Sequence, residues 1–107
     1  MKIDLTGKNA VVTGSTRGIG RAIAEALAES GARVAVVGRD LQRAEEAASA
    51  IGNDAMGFAA DVGDTAAVAK LVEDVEKAFG SIDILVNNAG ITRDLSLIHI
   101  SEPTRPY

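Results

Sequence analysis

At 107 residues the chain is long enough for one domain with a modest core and short for an enzyme that must hold both a large cofactor and a substrate. A formal net charge of -4, with the eleven Lys and Arg scattered along the sequence, excludes the clustered basic footprint that nucleic acid requires. The absence of cysteine and a single histidine, His99, exclude a disulfide framework and a thiolate or His-rich metal site.

The predicted elements alternate along the chain. Only Phe58, Phe79 and Tyr107 are aromatic, so the core must be built from Ala, Val, Ile and Leu, as in parallel sheets covered by helices. The first strand-sized apolar run is Ala10 to Val12. It is followed by a helix whose stripe is Ile19, Ala22, Ile23, Ala26 and Leu27, with Gly31 as a left-handed stop. The run Val34 to Val37 is the second strand. The next helix starts at Asp40, whose side chain can cap its first turn, buries Leu41, Ala44, Ala48 and Ile51, and stops at Gly52. Met56 to Ala60 is the third strand. Asp64 then caps a third helix that buries Val68, Leu71, Val72, Val75 and Phe79 before Gly80. The fourth run is Ile82 to Val86. The order β-α-β-α-β-α-β with right-handed crossovers gives an α/β, doubly wound parallel sheet with helices on both faces. No apolar run approaches the roughly 18 residues needed to span a bilayer. The start, MKIDLTGKNA, carries no apolar signal-peptide core, so cytoplasmic residence is the expectation, without a membrane partner.

Between the first strand and the first helix lies Thr13-Gly14-Ser15-Thr16-Arg17-Gly18-Ile19-Gly20. This is where an open α/β sheet binds phosphate on the amides of a helix start. Gly14 would allow the tight exit from the strand, Gly18 would let the backbone approach a pyrophosphate, and Gly20 would let the helix pack closely on the sheet. The other reading is that the same glycines serve a tight turn and nothing more.

The stretch TGSTRGIGRA, together with NNAG at Asn87 to Gly90, resembles the short-chain dehydrogenase/reductase family. The resemblance runs from about Lys2 to Asp94. GITRD, from Gly90 to Asp94, is similar to the 3-oxoacyl-carrier-protein reductase branch and to acetoacetyl-CoA reductases. It implies a Rossmann-type sheet present as its N-terminal half, with residues 1–94 as the cofactor-binding part. It also implies a longer parent enzyme that reduces 3-oxoacyl thioesters on acyl-carrier protein or CoA and assembles as a homo-tetramer. By the same resemblance Thr16, Arg17 and Ile19 line the phosphate and ribose, and Asp61 and Val62 flank the adenine. For Asp61 a purely local turn is the other reading. Asn87, Asn88, Ala89 and Gly90 either brace the sheet or border the cofactor.

An NAD-preferring site places an acid at the end of the second strand, on the ribose 2′-hydroxyl. Here that position is Gly38, followed by Arg39, and with Arg17 it offers two guanidinium groups to a 2′-phosphate. NADP(H) is therefore the expected cofactor. Asp40 stands close by, with helix capping and ribose binding as its two possible roles.

The family's catalytic Tyr-x3-Lys pair sits on one helix. Tyr107 is the final residue and Lys2, Lys8, Lys70 and Lys77 all precede it, so no catalytic residue is assigned and the 107 residues are expected to be inactive alone. From Leu95 the pattern breaks. LSLIHISEPTRPY resembles translated sequencing-adapter read-through, residues 95–107 are expected to be non-native, and Ser96 and His99 are not read as a catalytic pair.

Overall fold

The computed structural model describes residues 3–88. It contains β1 (Asn9–Thr13), α1 (Gly18–Glu29), β2 (Arg33–Gly38), α2 (Leu41–Ile51), β3 (Met56–Ala59), α3 (Thr65–Phe79) and β4 (Ile84–Asn87). All three strand pairings are parallel and the order is β3-β2-β1-β4. The expected doubly wound sheet is therefore present. The sheet order reverses at β1, which has β2 on one side and β4 on the other, and the crevice above the carboxyl ends of such neighbours is the usual ligand position.

Strand side chains alternate between two helical layers. Val12, Val34 and Val36 pack with Ala24, Ala44, Ala47 and Ala48 beneath α1 and α2. Val11, Ala35 and Val37 face the other way, onto Leu71 and Val75 of α3, with Phe58 and Phe79 at the margin. Because both faces of β1 and β2 are covered, these strands are continuous apolar runs, and each fully buried valine contributes roughly 1.5–3 kcal/mol. Small residues on α2 let it lie close to the sheet. A Cβ on Gly57 of β3 would come within 2.6 Å of the Ala44 backbone.

Helix ends follow local chemistry. Asp40 Oδ1 accepts from the amides of Gln42 (2.9 Å) and Arg43 (3.3 Å), and Asp64 Oδ1 accepts from those of Ala66 (2.9 Å) and Ala67 (3.5 Å). Gly52 and Gly80 close α2 and α3 at positive φ. At the end of α1 the cap is Ser30, and Gly31 follows at φ 107. The amides of Gly31 and Ala32 donate to the carbonyls of Ala28 and Leu27, which is the Schellman pattern.

One expectation is corrected. Ile19, Ala22 and Ala26 were placed on the buried stripe of α1, yet all three are exposed, Ile19 by 74%. The inward line is Gly20, Ile23, Ala24, Leu27 and Ala28. Close approach of the helix to the Gly14 turn requires glycine at position 20, and that orientation turns Ile19 outward. Leu41 and Val72 are likewise half-exposed at the margins of their stripes. Ser96, His99 and Tyr107 lie outside the described residues, as does the whole 95–107 segment.

Candidate nucleotide-binding site

The site grows out of the β1–α1 turn. Gly14 leaves the strand at φ 63, a left-handed conformation that favours glycine. Ser15, which the sequence reading passed over, is fully buried and does the anchoring. Its Oγ donates to the Val12 carbonyl (2.6 Å) and accepts from the Val37 amide (3.0 Å), while its own amide donates to the Val37 carbonyl (3.0 Å). The turn is thereby fixed to the ends of both β1 and β2. Arg17 is extended at the start of α1 and supplies no side-chain cap. Gly18 follows at φ 65, and a Cβ there would meet no atom within 4 Å. The start of α1 thus has no side-chain cap and open space beside Gly18.

Gly20 lies behind the turn. A Cβ on it would collide with the Gly14 carbonyl oxygen and come within 2.6 Å of Asn88 Nδ2. That Nδ2 donates to the Gly14 carbonyl (3.3 Å), and Asn87 Oδ1 accepts from Thr13 Oγ1 (3.0 Å) at the adjoining end of β1. Of the two roles open to these asparagines, bracing is the one their contacts display. Ala89 and Gly90 lie outside the described residues.

In front of the turn is a cavity of about 310 Å³. Gly14, Thr16 and Arg17 form one wall, the segment from Val37 to Asp40 another, and Arg43, Ala60 and Val62 complete it. Five expected site residues, Gly14, Thr16, Arg17, Arg39 and Val62, are brought together there. Ile19 does not line it. Asp61 is exposed, and its Oδ1 accepts from the Gly63 amide (2.9 Å), which is the local turn contemplated for it. Asp40 spends Oδ1 on the α2 cap, and Oδ2 sits 4.0 Å from Arg43 Nε. Arg43 was not singled out in the sequence. Its signal was the three-residue spacing from a capping acid, which turns its side chain back over the helix start.

The end of β2 is occupied in an informative way. A Cβ on Gly38 would come within 2.6 Å of the Thr16 methyl, so the Thr16 side chain covers the position where an acid would reach a ribose and would have to turn aside for one. Three guanidinium groups, Arg17, Arg39 and Arg43, and one carboxylate, Asp40, surround the cavity mouth. An anion in the cavity meets the uncapped start of α1 and a surplus of positive charge. Among the described residues no helix is long and apolar enough to cross a membrane, and no group of three or more His, Cys, Asp or Glu gathers as metal ligands.

Comparison with known proteins agrees with this geometry. The family model described as short chain dehydrogenase matches residues 8–104. Similar curated proteins include the 3-oxoacyl-(acyl-carrier-protein) reductase FabG of Haemophilus influenzae, 46% identical over 92% of this chain and 40% of that protein. FabG of Escherichia coli is 42% identical over 94% and 41%. A sorbitol dehydrogenase of Cereibacter sphaeroides is 48% identical over 94% and 38%. The chain therefore spans about 40% of the length of the curated relatives it matches. Among solved structures, a 3-ketoacyl-(acyl-carrier-protein) reductase from Brucella melitensis complexed with NADH superposes with a TM-score of 0.77 at 45% identity, covering 82% of this chain and 36% of that one. With nearly its whole length matched by the family model and its sheet shared with such a structure, the chain belongs to the short-chain dehydrogenase family.

Proposed function

We propose that residues 1–94 form the NADP(H)-binding part of a reductase that converts 3-oxoacyl thioesters to 3-hydroxyacyl thioesters. The observation that carries the cofactor choice is Gly38 at the end of β2, which presents no carboxylate, with Arg39 and Arg17 on the same cavity wall. A 2′-phosphate suits that charge, and the one acid on the cavity wall, Asp40, has Oδ1 on the α2 cap and Oδ2 4.0 Å from Arg43 Nε. The residues present fit a dinucleotide: Gly14 to Gly20 for the pyrophosphate, Arg17 and Arg39 for the 2′-phosphate, Val62 and Asp61 for the adenine, with Asn87 and Asn88 bracing from behind. Bound NADPH would supply the hydride.

The FabG relatives and GITRD favour a 3-oxoacyl substrate held on acyl-carrier protein. The sorbitol dehydrogenase, at 48% identity, favours a second reading with another carbonyl or alcohol as substrate. In either case the 107 residues bind cofactor without turnover, because they contain no Tyr-x3-Lys.

The test is titration of the 107-residue chain with NADPH and NADH, followed by fluorescence of the reduced nicotinamide. NADPH should bind at least about tenfold more tightly, equivalent to about 1.4 kcal/mol, with an advantage that shrinks as salt rises. Equal affinities would refute the 2′-phosphate assignment, and no binding would refute the site. Consumption of NADPH with a 3-oxoacyl thioester present would refute the expected inactivity.

A further inference from the structure

We infer that Arg43, in the first turn of α2, is a specificity-determining residue for the 2′-phosphate, serving both as a third guanidinium on that group and as the counter-ion of Asp40. The inference rests on the proposed NADP(H) site and extends it to a residue on a different element. The nucleotide cavity has a neighbour of about 310 Å³ in the groove between α1 and α2, and the residues common to both are Thr16, Arg17 and Arg43. Those three form the boundary between the two spaces, with Arg39 on the nucleotide side. A dianion seated at that boundary is bracketed by three cations, against Asp40 on the nucleotide side and Glu46 on the groove side.

Asp40 is the one acid on the wall of the nucleotide cavity, and unopposed it would repel a phosphate. The structure ties it to Arg43 twice. Oδ1 accepts from the Arg43 amide at 3.3 Å, and Oδ2 lies 4.0 Å from Arg43 Nε. The same residue therefore takes the cap with its backbone and offsets the cap's charge with its side chain. The two side chains are 72% and 58% exposed, so the pair adds little to stability and is free to reorganise around a ligand. Arg21, also in the groove, is committed elsewhere: Nε to Glu25 Oε2 at 3.0 Å and a terminal nitrogen to the Thr16 carbonyl at 3.5 Å. Arg43 makes no side-chain hydrogen bond among the described residues, which leaves its planar fork for the phosphate.

The experiment compares Kd for NADPH and NADH in the unaltered chain, Arg43→Ala, Arg43→Lys, Arg17→Ala and the double variant Arg43→Ala with Asp40→Ser, alongside thermal melts. Arg43→Ala should weaken NADPH about tenfold and leave NADH within about twofold, since a side chain acting on the 2′-phosphate is felt only by the coenzyme that has one. Arg43→Lys should recover part of the loss. The double variant, which keeps a capping hydroxyl and removes the acid, should also recover part of it. Unchanged NADPH affinity in Arg43→Ala, with affinity lost in Arg17→Ala, would overturn this inference and leave the site standing. Equal weakening of both coenzymes would overturn it in favour of a structural role. Failure of the unaltered chain to bind either coenzyme would overturn the site itself.

Discussion

The β1–α1 and β2–α2 turns join the same kinds of element on the same face of the sheet, and their helix starts are built in opposite ways. At β2–α2 an aspartate with φ -109 and ψ 115 bends its carboxylate over the first amides, and β3–α3 repeats this with Asp64 at φ -107 and ψ 115. At β1–α1 the corresponding place holds an extended arginine without a cap, then a glycine at positive φ. Two helices satisfy their starts from within, and the third leaves its amides for something negative from outside. The difference separates a turn that closes a helix from one that receives a ligand.

The largest effect is expected from Gly20→Ala, which drives a methyl into the Gly14 carbonyl and the Asn88 amide. Chemical denaturation should show a loss of about 3 kcal/mol, at the upper end of overpacking costs, with coenzyme binding lost as the turn shifts. A loss no greater than that of an ordinary helix Gly→Ala change would mean the contact relaxes freely.

Ser15→Ala should come next. It leaves the buried Val37 amide without its hydroxyl acceptor, for about 2 kcal/mol by the same measurement. A neutral result would show that β1 and β2 hold the turn without this residue.

Asp64→Ala isolates the closed type of turn. It should lower stability by about 1 kcal/mol and leave NADPH affinity untouched, because α3 contributes no residue to the cavity. Any change in affinity would join the two kinds of turn that the comparison separates.

Gly18→Ala reverses the pattern. The open space around its Cβ limits the folding cost to about 1 kcal/mol of backbone strain, yet NADPH affinity should drop about tenfold where a phosphate must approach the amides. Full affinity would place the phosphate elsewhere.

Much of this was legible because it is local. Strand runs, the Asp40 and Asp64 caps, and the stops at Gly52 and Gly80 depend on neighbours a few residues away; the caps and stops appear where the pattern placed them, and of the strands only β4 moves by more than one residue at its start, from Ile82 to Ile84. The face of α1 was misread because periodicity ranks Ile19 above Gly20, whereas close packing against β1 needs the residue with no side chain. Ser15 and Arg43 escaped for another reason. What each does depends on a second element being brought alongside, the end of β2 for Ser15 and the glycine turn for Arg43. Asp61 shows the converse, since its neighbours suffice to explain the bond it makes.

The methyl of Thr16 against Gly38 has a bearing on how such a protein changes its allegiance from one coenzyme to another. An acid at position 38 meets that methyl at 2.6 Å, while the Thr16 hydroxyl and Cβ stand off at 3.6 and 3.7 Å. Loss of the methyl alone, Thr16→Ser, clears the way. Positions 16 and 38 are therefore coupled on any mutational path toward NADH, because an acid at 38 requires that the Thr16 side chain turn or lose its methyl.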